Sequence, residues 1–318
     1  MAEKDYMEKK LEDYPDVFAD IANAYFYQGK SVIGETELEQ GTTKSLYKAD
    51  GKLREQERDS VKHWRNSDLR LASFGYENQS EVDADETLRV IGYDGAMYRG
   101  QLYYELDENG KRRRNENPRY PVVTVVLYFG LKHWNQPRNL KERLVIPEGL
   151  DRFVSDYHIN VMEVAWLTDE EIERFRGDFK VVADYFSQIR RNGKYVPSKQ
   201  QLRHVEEVLE LLAVMNGDER FAEAYIGEYL VNGEVERRPP RNMCEVLDIV
   251  ENRGIERGKE IGKEIGKEIG KEIGKIQGIM EMGLRHGWSR EEIMEELQIA
   301  LGMSEEEIRK FMDAENIE

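Results

Sequence analysis

One cysteine, Cys244, in 318 residues leaves no partner for an intramolecular disulfide and no thiolate cluster for a metal. A reducing, cytoplasmic setting is the expectation. The longest apolar stretch, Tyr120 to Leu131, is well short of the roughly 20 residues that cross a bilayer. The chain opens MAEKDYMEKKLEDYPD, with no apolar run behind a basic start, so neither a membrane span nor a secretory signal is expected. Basic residues are in deficit, 47 Lys and Arg against 64 Asp and Glu, a net charge of −17. Coating nucleic acid without sequence preference is driven by displaced counterions and needs Lys and Arg, so that class of function is disfavoured. Also missing are a Walker loop, H-E-x-x-H, G-x-S-x-G and a dinucleotide fingerprint. The histidines, at 63, 133, 158, 204 and 286, show no ligand spacing, and His63 reads as a packed or surface imidazole.

Placement of the basic residues matters more than their number. Lys111 to Arg119 carries five basic residues and one acid, and Arg190 to His204 five and none. Local ridges of this kind survive a negative total, which makes Arg112, Arg113, Arg190 and Arg191 candidates for phosphate contact. Solvated loop tips are the plain alternative.

Asp16 to Gln28 follows Pro15 with apolar residues at 17, 18, 21, 22 and 25, the spacing of a helix. Residues 29 to 57 are polar and aperiodic and read as a connecting loop. Segments 58–64 and 69–79 are strand-like and flank the polar turn Arg65 to Asp68, which predicts a β-hairpin. Thr87 to Tyr103 has the apolar stripe of a helix. Residues 121–129 and 159–167 are dense in β-branched and apolar residues, as expected of covered central strands. The pattern predicts an α/β domain over residues 1–195. Residues 196–250 read as helical, with Phe221, Tyr225 and Tyr229 among their apolar positions.

Residues 251–282 are low in complexity, with Gly at 254, 258, 262, 266, 270, 274 and 278 between repeated Lys-Glu-Ile triplets. Seven glycines cost a helix roughly 7 kcal/mol relative to alanine, offset in part by Glu260 to Lys263 and its repeats. The isoleucines at 261, 265, 269 and 273 drift about 40° per repeat, so only a partner wrapping with right-handed sense follows them. An oligomerising helix and a solvated rod or spacer both fit. In residues 283–318, Ser289 to Glu292 and Ser304 to Glu307 are capping boxes that start a helical hairpin. That segment holds four basic and ten acidic residues, which favours a structural role over reading DNA.

The chemistry-bearing pair is in the hairpin. Its centre lies near residue 68, so Asp59 and Glu77 stand nine residues to either side and face each other. Opposed positions bring Cβ atoms to roughly 5 Å, and two carboxylates there are unfavourable unless a cation lies between them. Asp68 belongs to the turn. Gln79 shares the face of Glu77 by the period of two. An exposed strand end whose polar groups meet only water is the bland alternative.

These segments, PDVFADIANAYF, ERDSVKHW, GYENQSEVD, LRVIGYDGAMYR, YPVVTVVLYFG and INVMEVAWLTDEEIERF, taken in order, resemble the recombination-promoting nuclease family, whose members are also described as transposases, of the PD-(D/E)XK nuclease class. The similarity spans roughly residues 14 to 190, and the tail of repeats is also like that of many members. The resemblance implies a restriction-endonuclease-like core, a central mixed sheet flanked by helices, and Mg²⁺- or Mn²⁺-dependent cleavage of DNA. It maps Asp59 and Glu77 to the metal-binding acids and Gln79 to a position usually filled by lysine. It makes Asp16 and Asp20, one turn apart on the first helix, further candidate metal ligands, with a solvated helix face as the alternative. Arg89 and Tyr93 would touch a phosphate or brace Glu77, and Lys62 would supply positive charge if it reaches the site. The function expected is a metal-dependent DNA endonuclease. The rival is a degenerate nuclease scaffold that binds DNA or a protein, with residues 251–282 setting a homo-oligomer.

Overall fold

The computed structural model describes residues 11–49, 51–66, 69–217, 220–224, 227–231, 234–302 and 304–314. The chain forms two compact units, Met1–Val250 and Glu251–Glu318.

Pro15 at the first helical position presets the backbone for α1 (Pro15–Tyr27), whose Val17, Phe18, Ile21 and Ala22 are buried and which ends at Gln28 in the left-handed region. The segment over 29–57 is not the connecting loop expected. It holds β1 (Leu38–Gln40) and a hairpin of β2 (Lys44–Ala49) and β3 (Lys52–Glu57) turning at Gly51. The β3 pattern is almost wholly exposed, so apolar alternation, the usual mark of a strand, is missing there.

β4 (Ser60–Asn66) and β5 (Leu69–Gln79) are antiparallel, with Ser60 opposite Tyr76 and Trp64 opposite Ala72. The register shifts at Trp64/Arg65, a bulge near the turn; Asp68 lies outside the described residues. The next helix, α2 (Glu86–Gly100), leads by way of a small exposed hairpin, β6 (Tyr104–Leu106) and β7 (Arg112–Arg114), to β8 (Val122–Tyr128). That hairpin carries the first basic ridge. β8 runs parallel to β5 and to β9 (Asn160–Glu163). The central sheet is therefore five-stranded and mixed, in the order β1-β4-β5-β8-β9.

Its faces are covered differently. Phe74, Tyr76 and Leu127 pack with α1 and with α5 (Phe179–Asn192), which comes after two short helices, α3 (Leu140–Arg143) and α4 (Asp169–Ile172). Val126, Tyr128 and Val161 pack under Val90 of α2 with Trp134 and Ile159. The segment expected to be helical over 196–250 is so only in part. α6 (Val205–Asn216) and α7 (Arg220–Glu223) bury Leu209, Leu212 and Phe221 in the main core. Tyr229, however, belongs to a hairpin of β10 (Gly227–Val231) and β11 (Glu234–Arg238), and Tyr225 is outside the described residues. The polar–apolar alternation of Glu234, Val235 and Glu236 suits a strand better than a helix stripe.

α8 (Met243–His286) is one helix of 44 residues, so the repeats are helical throughout. α9 (Arg290–Leu301) and α10 (Glu305–Ala314) form the C-terminal hairpin; Ser289 and Ser304 each accept from the backbone N–H three residues on, at 3.2 and 3.4 Å. No described helix is long and apolar enough to cross a membrane.

Candidate functional site

β5 runs from an antiparallel neighbour to a parallel one, and its carboxyl end is where chemistry-bearing side chains gather. The ladder ends at the Ser60–Tyr76 pair, and Asp59, the next residue out, is close enough to Glu77 for the two carboxylates to repel. Alternation along β5 points Glu77 and Gln79 toward α2, and Tyr76 and Asn78 toward α1. Glu77 is 1% exposed, and its Oε1 has no hydrogen-bond partner. Burial pushes its carboxyl well above the usual range, Asp59 and Glu86 push it further, and the Arg89 and Arg58 guanidiniums pull the other way. Asp59, half-buried, accepts from the backbone N–H of Asn78 at 2.8 Å, which fixes its carboxylate at the strand end.

Two further acids complete the cluster. Glu86, the first residue of α2, is fully buried with Oε1 unpartnered and is held up at about 7 by burial. Glu12 is also fully buried, without a hydrogen bond of normal geometry to either carboxylate oxygen; burial and then Asp59 raise it to about 8, partly offset by hydrogen bonding to its own backbone and by the Asn78 side chain. Glu12 couples to Asp59 on the α1 side, and Glu77 and Glu86 do so on the α2 side. The Asp59 charge thus acts on buried acids on both sides of the sheet.

Arg89 and Tyr93 do reach this region. Arg89 lies 3.0 Å from Glu86 and 3.8 Å from Glu77, and its Nη2 donates to the Tyr93 hydroxyl at 3.4 Å. Tyr93 in turn donates to the Glu57 carbonyl at 3.0 Å. Gln79 Nε2 donates to Glu86 Oε2 at 3.4 Å, so this amide already has a carboxylate partner. Along the same row of the sheet, Tyr128 and Glu163 continue from Gln79 in register.

Other candidates are placed elsewhere. The Asp16 carboxylate is held by Arg203 and His204 at 3.0 Å each, and Asp20 accepts the backbone N–H groups of Arg176 and Gly177 at 2.9 Å each. Both fasten α1 to later segments, and neither is among the charges that perturb Glu77; Glu12, from the preceding turn, is the acid that couples to Asp59. Lys62 faces the opposite way, donating to the Asp13 carbonyl at 2.7 Å and to the Gln40 side chain. His63 is buried against Ser73, and burial holds its pKa down at about 4. Arg112 and Arg113 precede the amino end of β8, some six residues or about 20 Å of strand from the Gln79 row. Arg190 covers the Trp166 ring at 4.0 Å and donates to the Ala165 carbonyl, and Arg191 pairs with Asp169 at 2.6 Å. Those guanidiniums brace the end of α5.

Two residues that no sequence motif singles out stabilise the site from below. Arg58, 1% exposed, pairs with Asp94 at 2.5 Å, and Asp94 also accepts from Thr124 and Tyr157. An arginine preceding an aspartate at a strand start, with an aspartate one turn past Val90 on the buried stripe of α2, is the pattern that could have marked them.

Among the described residues no three or more His, Cys, Asp or Glu side chains are arranged to hold one ion. The donors nonetheless suit a hard divalent cation. Asp59, just before β4, and Glu77 of β5 offer carboxylate oxygens, and Glu77 presents a buried oxygen with no hydrogen-bond partner. Compared with known proteins, the chain matches no family model, no curated sequence and no solved structure.

Proposed function

We propose that this chain is a metal-dependent DNA endonuclease of the recombination-promoting nuclease kind, built on a restriction-endonuclease-like core and working in the cytoplasm. The single observation that carries the reading is the orphaned, buried Glu77 Oε1 at the carboxyl end of β5, on a carboxyl that Asp59 perturbs. Strand ends of this kind, beside a crossover to a parallel neighbour, are where α/β sheets receive ligands. Asp59 and Glu77 would hold Mg²⁺ or Mn²⁺, which when bound supplies a water of lowered pKa and positive charge for a phosphate. Gln79 would orient that water through its amide; it cannot take the proton. Arg89, 41% exposed, would meet a phosphate oxygen while Tyr93 keeps its guanidinium near the acids.

Plasmid nicking with Mg²⁺ or Mn²⁺ tests this directly. Wild type should nick, chelator should abolish it, and Asp59→Asn, which keeps an acceptor for the Asn78 N–H, should lose at least 100-fold while melting normally. Retained nicking by Asp59→Asn removes the proposal.

A second reading is favoured by the Gln79–Glu86 hydrogen bond and by the two guanidiniums beside Glu77, which neutralise the acids without any ion. It makes the chain a nuclease scaffold without catalysis that binds DNA or a protein. Calorimetric titration with Mn²⁺ separates the two: a spent scaffold gives no heat that Asp59→Asn removes.

A further inference from the structure

The long helix α8 is covered at one end of the second unit and bare over the repeats before it. Ile276 and Met280 are buried with Ile293, Leu297, Ile308 and Met312 of the C-terminal hairpin. Ile261, Ile265 and Ile269, by contrast, are 57, 51 and 51% exposed. At every repeat glycine from Gly254 to Gly278 an added Cβ would meet nothing within 4 Å. The bare stretch joins an isoleucine ridge to a glycine groove, and helix propensity alone gives no reason to hold it together.

A period of four sorts the residues into rows. With about 100° per residue, the rows succeed one another around the helix as Lys, Glu, Ile and Gly at roughly 0°, 100°, 200° and 300°. The Ile and Gly rows are therefore adjacent. Glu borders the seam on the Ile side, and Lys borders it on the Gly side. These are the i±4 ridges whose interdigitation crosses two helices at about −50°.

That order decides the orientation of a pair. When two copies lie parallel, the two-fold axis along the pair sets the Gly side of one against the Ile side of the other, so each isoleucine ridge enters a glycine groove. The same operation sets Lys beside Glu on both flanks. In an antiparallel pair Ile would meet Ile, Gly would meet Gly, and each flank would bring like charges together. The parallel arrangement satisfies shape and charge at once.

We propose that the repeat stretch Gly258 to Glu272 is a self-association surface, occupied by the same stretch of a second copy of this chain in parallel orientation. The inference is independent of any nuclease activity, since its readout is mass.

Sedimentation velocity on the full-length chain, from micromolar to about 100 µM, tests it. Wild type should be a dimer at the upper end. Replacing Gly258, Gly262 and Gly266 together by Gln fills the groove with residues of better helix propensity. This variant should weaken dimerisation at least tenfold while its circular dichroism shows equal or greater helix content, so loss of fold cannot account for the change. Replacing Glu260, Glu264 and Glu268 by Lys brings the net charge closer to zero, which by itself would favour association. In the parallel pair it sets Lys against Lys and should also dissociate the dimer. A monomeric wild type at 100 µM, or a dimer that survives either triple substitution, overturns the proposal.

Discussion

Arg58 crosses β5 at Gly75: a Cβ on Gly75 would collide with Nη1 of Arg58, nearer than real Cβ contacts come. The glycine is required here for close approach, since it lets a buried guanidinium lie along the strand and reach Asp94. Removing one member of a buried pair leaves an uncompensated charge, at a cost of about 3 to 5 kcal/mol. Asp94→Ala should lose that much in urea denaturation, and Gly75→Ala should lose at least ~2 kcal/mol because Arg58 must move. Tyr157→Phe, which removes a single donor to Asp94, should cost only about 1 kcal/mol.

Acid-base linkage at the strand end should be visible in melting curves. Glu12 is held up at about 8, Glu86 at about 7, and Glu77 well above the usual carboxylate range. In each case the folded chain binds the proton more tightly than the unfolded chain. Their stabilisation is complete below the unfolded value of about 4.3 and is lost as pH rises through the folded values. His63, held down at about 4, acts in the opposite sense, but only below about 6.5. The melting temperature should therefore fall between pH 7 and 8.5, and Glu12→Gln should flatten that fall.

Millimolar Mg²⁺ should raise the melting temperature more at pH 8.5 than at pH 6.5, because the ion competes with protons for the same carboxylates. Glu77→Gln, an isostere of the protonated acid, should melt within a degree or two of wild type at pH 7 and lose the Mg²⁺ shift. A shift that persists in Glu77→Gln would assign the ion to other ligands.

Gln79→Lys should act through Glu86, whose share of the loss falls at and below about pH 7. Gln79 Nε2 lies 3.4 Å from Glu86 Oε2, so an ammonium in its place would favour the ionised Glu86. The variant should hold its melting temperature better than wild type as pH rises from about 5 to about 7.5, measured in parallel scans.

Asp16 serves as a control for the metal reading. Its partners are Arg203 and His204, and the imidazole also stacks on Tyr14 at 3.7 Å. Asp16→Asn should cost about 1 to 2 kcal/mol of stability and leave any Mn²⁺ heat unchanged in calorimetry.

Much of this arrangement was legible in the chain itself. The hairpin register came from counting outward from residue 68, and β8 from its unbroken apolar run. Residues 38–57 were not legible as strands, because β3 is solvated on both faces and carries no alternation. The β10–β11 hairpin was hidden for a different reason: Phe221 at the end of the helical region and Tyr229 in β10 are spaced like members of one helix stripe. At the site, the proximity of Asp59 and Glu77 came from periodicity, but Glu12 and Glu86 did not. Glu86 looks like an ordinary acid in the first turn of a helix, favoured by the dipole, and nothing local says that it is buried. Asp16 and Asp20 had the expected one-turn spacing and were claimed by residues 176–204, contacts more than 150 positions away in the chain.

The four-residue unit in α8 has a consequence for how this protein can change over generations. Gain or loss of one Lys-Glu-Ile-Gly block in the gene alters the rod by about 6 Å and returns every surviving side chain to its own row. An insertion of one, two or three residues would instead shift the downstream isoleucines and glycines into other rows. Length can therefore drift by whole blocks under little constraint, and any selection for a particular reach would be recorded as a preferred block count.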